Sequence, residues 1–147
     1  MTKVKNRFQF ELPDGWEDQT VYIFEGPESS GIEHRLMLNI DRHLQHDDIN
    51  DFAHEKTDAL KESVQGISIL KDEETTIRDG NPAYEFVYKW IPSDEKVIFY
   101  KFVFIIKDDI GFSFSAMFSK KTLKTVGLQM GEIIESLIPG TYYPSSE

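Results

Sequence analysis

The stretch from Lys96 to Ser119, KVIFYKFVFIIKDDIGFSFSAMFS, constrains the fold more than any other part of the chain. Between Val97 and Ile106 the only charged residue is Lys101. Successive side chains of a β-strand point to opposite faces, so this strand is apolar on both faces. A sheet built around it therefore needs apolar cover on each side.

The register of this hairpin follows from its turn. Asp108 and Asp109 predict a two-residue turn between two strands. One face would then carry apolar pairs: Ile105 with Phe112, Val103 with Phe114 and Phe99 with Phe118. The other face would pair bulky residues with small ones: Ile106 with Gly111, Phe104 with Ser113 and Phe102 with Ser115. The small residues favour a helix packed closely on that second face.

The rest of the chain alternates between two hydrophobic periods. Further strands are predicted at FQFEL (8–12), TVYIFEG (20–26), EHRLMLNIDR (33–42), ISIL (67–70) and AYEFVYKWI (83–91). Helical spacing predicts one helix over residues 47–66, capped by Asp47 or Asp48, and a second along the stripe from Leu123 to Leu137. Short turns between consecutive strands imply an antiparallel sheet. We expect an α+β fold with a curved antiparallel β-sheet and two helices packed on one face, in a single domain at 1–140 followed by a tail at 141–147.

The composition excludes several classes of function. A net charge of −10 argues against a surface that binds nucleic acid or anionic membrane, and the absence of cysteine excludes disulfides and thiolate chemistry. The N-terminus lacks the apolar segment of a secretory signal, and no apolar run is long enough to span a membrane. We therefore expect a cytoplasmic protein.

Candidate chemical sites are weak. The segment DRHLQHDDINDFAH holds the one metal-like group (His43, His46, Asp47, Asp51 and His54), but its spacing matches no standard site, so we expect no metal. Acid–base catalysis could use Asp41, Glu85 or Lys101, each of which can equally be a residue at the sheet rim. His34 is expected to be a solvated sheet residue, and Asp72, Glu73 and Glu74 a solvated strand edge. We expect no enzymatic activity and no cofactor.

Two helices on one side leave the other face of the sheet apolar and uncovered. The sheet could curl and bury that face, or a homodimer could cover it. It could instead be a groove for an apolar guest, either a partner helix or a small hydrophobic molecule. A cone-shaped α+β acid–base enzyme is the remaining alternative. The sequence does not separate an open groove from a closed pocket.

Several motifs together resemble the DcrB-like family, whose members have a PsbP-like α+β fold. They are FQFELPDGW, EHRLMLNIDR, the helix that follows, DGNPAYEFVYKW, the apolar hairpin and the closing helix with its LIPG end. The chain is most similar to the Eag-type chaperones of type VI secretion effectors, because it lacks the lipobox cysteine of the exported branch.

This resemblance implies a function. Eag-type proteins are dimeric cytoplasmic adaptors that shield the N-terminal transmembrane helices of secreted effectors and help load them on the secretion spike. It implies a partner-binding groove formed by Val21, Ile23, Leu38, Ile67, Ile69, Phe99, Val103, Ile105, Phe112 and Phe114. Ser63 and Lys101 could hydrogen-bond a guest helix beside them. The expected partners are an effector and a second copy of the chain.

Overall fold

The computed structural model describes residues 2–5, 9–16, 21–26, 34–42, 44–93 and 96–137. Within these ranges the elements are β1 (Thr2–Lys5), β2 (Gln9–Leu12), β3 (Val21–Glu25), β4 (Arg35–Asp41), α1 (Ile49–Ser63), β5 (Ser68–Thr76), β6 (Pro82–Ser93), β7 (Lys96–Lys107), β8 (Ile110–Ser119) and α2 (Val126–Glu135). The predicted boundary at residue 140 and the tail at 141–147 lie outside the described residues. No helix in these ranges is long and apolar enough to cross a membrane.

The main sheet is antiparallel and has six strands in the order β3-β4-β8-β7-β6-β5. This confirms the α+β class, the antiparallel sheet and the two helices. The strand β1 was not predicted, and it pairs with β2 in a separate two-stranded sheet. The edges of the main sheet are β3 and β5.

The turn between β7 and β8 has the predicted form. Asp108 and Asp109 both take positive φ values, 52° and 62°, as a two-residue type I′ turn requires. The cross-strand partners of Ile105 and Val103 are Phe112 and Phe114, so the predicted register is confirmed.

The first helix begins as its sequence predicts. The side chain of Asp48 accepts hydrogen bonds from the backbone N–H groups of Asn50 and Asp51, at 2.7 and 3.4 Å. These bonds satisfy N–H groups that have no partner within the helix. Gly66 follows the helix with a φ of 75°, in the left-handed region that favours glycine.

The two helices lie on opposite faces of the sheet, so the prediction that both cover one face is wrong. The helix α1 packs on the face of Tyr84, Phe86 and Phe104. The helix α2 packs through Met130 and Ile134 on the other face. The physical reason is the two-sided apolar character of β7. Each of its faces carries large apolar side chains, and burying both faces is favourable, so one helix packs on each.

Candidate functional site

The face under α1 carries an open groove with a volume of about 1050 Å3. The helix packs over β6 and β7, and the groove lies between α1 and the strands β3, β4 and β8. Its residues come from the sheet floor, from one side of the helix and from the loop that precedes the helix at Gln45 and His46.

The groove floor is made of small and polar side chains between apolar ones. Ser113 lies between its partners Asn39 on β4 and Phe104 on β7, and all three line the groove. One step along the strands, Ser115 lies beside Phe102. Small floor residues leave space above β8 that bulky residues would fill.

Gly111 shows how closely the helix approaches the sheet at one end of the groove. A Cβ atom at this position would lie 2.7 Å from Phe52 Cζ and 2.8 Å from Leu44 Cδ2. Only glycine allows these two side chains to reach the sheet here. The predicted close packing of a helix over the small residues therefore holds at this end.

The helical wall of the groove has a regular pattern. Glu55, Ala59 and Ser63 are spaced four residues apart, so they form one stripe along α1. Lys56 and Leu60 line the groove beside this stripe. A small residue at the centre of the stripe lets another segment come close to the helix axis.

The edge strand β3 forms the far side of the groove. Val21 is 47% exposed and lines the groove, and Ile23, two residues along the same face, is 53% exposed. Large exposed apolar side chains on an edge strand are unusual, since they invite association with another chain.

The ten residues predicted to form a partner groove do not share one surface. Val21, Ile23 and Ile69 lie on the α1 face of the sheet, and Ile67 packs with the apolar cluster under α1. The other six lie on the α2 face: Leu38, Phe99, Val103, Ile105, Phe112 and Phe114. The prediction that all ten form one apolar surface is therefore wrong, because it combined residues from both faces of the sheet.

Four of these residues belong to the core. Val103, Ile105, Phe112 and Phe114 are 6%, 0%, 4% and 4% exposed and form a cluster with α2. They cannot contact a partner in this conformation. Of the ten, Val21 and Phe114 line the groove, and Val21 is the exposed one of these two.

The two predicted hydrogen-bonding residues also separate. Ser63 lines the groove. Lys101 lies on the α2 face, where its Nζ is 3.3 Å from the Glu85 carboxylate, and Lys71 pairs with the same carboxylate at 3.2 Å. Glu85 and Lys101 thus form an ion-paired cluster on the sheet away from the groove. Asp41, the third candidate for acid–base chemistry, lines the groove.

A hydrogen-bond network of polar side chains connects α1 to the sheet on the side away from the groove. The Tyr84 hydroxyl donates to one Asp72 oxygen at 2.5 Å, and Lys61 Nζ donates to the other at 2.8 Å. Burial of the Asp72 carboxylate favours its neutral form, but the bonds from Lys61 and Tyr84 outweigh this and lower its pKa. Burial and the Asp72 carboxylate raise the pKa of Tyr84 well above its ordinary value. Two residues of the predicted acidic edge therefore contact α1. Asp72 accepts a hydrogen bond from Lys61, and Glu74 accepts one from the Asn50 side chain.

The histidines occupy separate environments. His46 Nε2 lies 3.4 Å from a Glu55 oxygen at the groove, and His54 Nε2 lies 3.2 Å from the Tyr84 hydroxyl on the opposite side of α1. His43 lies outside the described residues. His34 is fully buried, with its ring centroid 6.2 Å from that of Phe118, so the prediction of a solvated His34 is wrong.

Sequence reasoning missed Asn39, Ser113, Ser115 and Ala59 as groove residues. The signal was the alternation of serine with phenylalanine in β8, which predicted a helix over the small residues. That prediction assumed that the helix covers all of these small residues. The position of α1 over β6 and β7 depends on side-chain packing between distant segments, which the local pattern does not report.

The architecture is that of an α+β protein with one helix on each face of an antiparallel sheet and an open groove beside the first helix. The chain belongs to the DcrB family, whose model matches residues 8–124. None of the curated proteins matches it. It is similar to the crystal structure of PA94 from Pseudomonas aeruginosa, described as a protein of unknown function and a candidate regulator, with a TM-score of 0.73, 19% identity and coverage of 97% of this chain and 99% of that one. This likeness shows a shared fold.

Proposed function

We propose that this protein is a non-enzymatic cytoplasmic chaperone that binds apolar helices in the groove beside α1. The guests would be the N-terminal transmembrane helices of type VI secretion effectors, which the chaperone would shield from water and help to load on the secretion spike. The observation that carries the proposal is a sheet face with room for two helices, on which α1 is the one helix packed among the described residues.

Strand and helix spacings support one vacant helix position. Neighbouring strands lie about 4.8 Å apart, so six strands make a face roughly 24 Å wide. Packed helices lie about 8–10 Å apart, so α1 over β6 and β7 leaves space for one more above β8, β4 and β3.

The groove chemistry suits such a guest. Phe102, Phe104 and Val21 supply apolar surface, whose burial is worth roughly 25 cal/mol per Å2. Ala59 on the wall permits close approach of two helices. Ser113 and Asn39 can hydrogen-bond polar groups of a guest helix, which would otherwise lose their water partners without replacement.

A homodimer is part of this proposal. The edge strand β3 supports it, because Ile23 and Phe24 are more than half exposed on opposite faces of the same strand. Pairing of β3 with another copy would cover both side chains and extend the sheet. Light scattering on the purified protein would measure the mass directly.

The test uses a substitution on α1 that blocks the groove. Ala59→Trp would place a large side chain in the groove, and we expect it to prevent capture of an effector whose N-terminus holds apolar helices, measured by co-expression and affinity purification. Asp58→Trp is the matched control, because Asp58 is exposed and lies about 100° around α1 from Ala59. A folded Ala59→Trp protein that captures the effector as well as wild type contradicts the proposal.

A further inference from the structure

The turn between β8 and α2 carries three lysines, Lys120, Lys121 and Lys124, which we name the lysine cluster. The sequence around them, from Ile110 to Gly131, holds no acidic residue, although the chain has a net charge of −10. All three lysines are exposed, and no ion pair connects any of them to a carboxylate of the described residues. Four lysines elsewhere in the described ranges do pair with carboxylates: Lys61, Lys71, Lys101 and Lys107. The described part of the fold thus leaves the charge of the lysine cluster uncompensated.

A buried threonine holds this turn in one conformation. Thr122 is 1% exposed, and its hydroxyl accepts a hydrogen bond from the Ser119 backbone N–H at 2.9 Å. The Ser119 hydroxyl accepts one in return from the Thr122 N–H at 3.1 Å. The Leu123 N–H donates to the Ser119 carbonyl oxygen at 3.1 Å, as in a helical turn, and the Leu123 side chain packs against the core under α2. Side chains three and four positions apart in such a turn are neighbours, so the lysine cluster is a single preorganised surface.

The lysine cluster is unfavourable by itself. Like charges at this spacing repel one another and destabilise the turn that carries them. The first turn of α2 holds no acidic residue, so the positive end of the helix dipole adds to the same potential. A turn that served only solubility could alternate its charges and avoid this repulsion. A contact with an acidic partner explains the arrangement better, because the partner would neutralise all of these charges together.

An exposed apolar side chain follows the lysine cluster directly. Leu128 is 67% exposed and lies in the first turn of α2, four residues after Lys124. Exposed ion pairs contribute little affinity each, so an adjacent apolar contact strengthens a site of this kind. The combination suits a ligand that carries both carboxylates and an apolar side chain.

We propose that the lysine cluster and Leu128 form a docking site for an acidic segment of another protein, which pairs its carboxylates with the lysines and covers Leu128 with an apolar side chain. A short segment fits better than a nucleic acid or an anionic membrane, because a long polyanion would also face the rest of a chain whose net charge is −10. The helix α2 lies on the opposite face of the sheet from the groove, so a guest in the groove would not cover this site. The docking site therefore does not depend on the proposed function.

The experiment measures binding of a fluorescent peptide of about 12 residues, made of Glu, Asp and Leu, to the full chain by fluorescence anisotropy. We expect binding that weakens at least about fivefold between about 50 and about 300 mM salt, because exposed charges are screened. Lys124→Gln should weaken binding about threefold, adding Lys121→Gln should bring the loss to about tenfold, and Leu128→Gln alone should cost about threefold. Lys71→Gln is the matched control, because it removes one charge from β5, where a second lysine still pairs with the same carboxylate.

A groove variant shows which of the two sites holds the peptide. Unchanged binding in Ala59→Trp supports the docking site, whereas loss of binding would place the peptide in the groove and overturn it. A folded wild-type protein that does not bind the peptide, or a double lysine variant that binds as wild type does, would also overturn it. Equally tight binding of a DNA duplex or of phosphatidylserine vesicles at the same salt would show a general polyanion surface instead. A smaller mass of the double lysine variant in light scattering would mean that the lysines face a second copy of the chain, which is likewise contrary to the proposal.

Discussion

The two faces of the sheet are covered in different ways, one by the 15 residues of α1 and the other by the 10 residues of α2. On the α2 face, Val103, Phe112 and Phe114 are bulky, and α2 seals them into a core. On the α1 face, the neighbouring positions Ser113 and Ser115 are small and lie under a groove. The difference indicates that side-chain size along one strand decides which face of the sheet packs against its helix without a groove. Bulky residues on β8 meet α2 directly, while small ones leave a gap that α1 does not fill.

The same substitution on each face tests this comparison with the largest expected effect. Val103→Glu buries a charge in the sealed core, and we expect it to lower the free energy of unfolding by roughly 3 kcal/mol or more. Val21→Glu adds its charge at an exposed position of the groove, so stability should change by less than about 1 kcal/mol while binding of an apolar helix is lost. Denaturant unfolding and helix titration measure the two effects.

The opposite result would reverse the assignment of faces. If Val103→Glu remained stable and lost guest binding, while Val21→Glu bound normally, the guest would occupy the α2 face. Phe114→Glu provides a second variant on that face. We expect it to unfold like Val103→Glu because Phe114 is 4% exposed.

The sequence predicted the local structure better than the site. The register of β7 and β8 followed from the Asp108–Asp109 turn, and the start of α1 followed from Asp48, because both depend on residues close together in the chain. The side of the sheet that each helix covers did not follow. That choice depends on packing between segments far apart in sequence, and β7 is apolar on both faces, so its pattern fits a helix on either side equally well.

The residues predicted to bind a partner show the same limit of prediction from local sequence. Apolar character placed Phe112 and Phe114 in the predicted groove, although apolar side chains are most often core. The groove residues Ser113 and Asn39 are polar and small, so hydrophobicity alone could not select them. Val21 was included as a strand position implied by the resemblance to Eag-type proteins, and its place on an edge strand was not predicted.

A pair of glycine substitutions compares a close contact between α1 and the sheet with an open position on α2. Gly111→Ala would force Phe52 and Leu44 away from β8, and we expect it to destabilise the protein by about 1–3 kcal/mol. Gly131→Ala on α2 meets no atom within 4 Å and should stabilise the helix by roughly 0.5–1 kcal/mol. Thermal unfolding compares them. A neutral Gly111→Ala would mean that α1 can lift from β8 at little cost, which would weaken the contrast between the two faces.

The smallest expected effect concerns the bond that fastens the end of α2. Lys107 binds the Asp79 carboxylate and also donates to the Leu137 carbonyl oxygen at 2.8 Å. The hydrogen bond from Lys107, followed by those from Asn81, lowers the pKa of Asp79 from 3.8 to about 2. A carboxyl whose pKa is lower in the folded state stabilises the protein above its unfolded pKa and loses this contribution as the pH falls toward its folded pKa.

Asp79→Asn should therefore lower stability at pH 7, and its difference from wild type should shrink as the pH falls below about 4. Denaturant unfolding at pH 7, 5 and 3 measures this. Lys107→Met is the control, and the double variant should be no less stable than Lys107→Met alone, because both changes remove the same bond. A difference that stays constant from pH 7 to pH 3 would mean that the carboxylate does not help to hold α2. The sealing of the α2 face would then depend on the apolar contacts of Met130 and Ile134 alone.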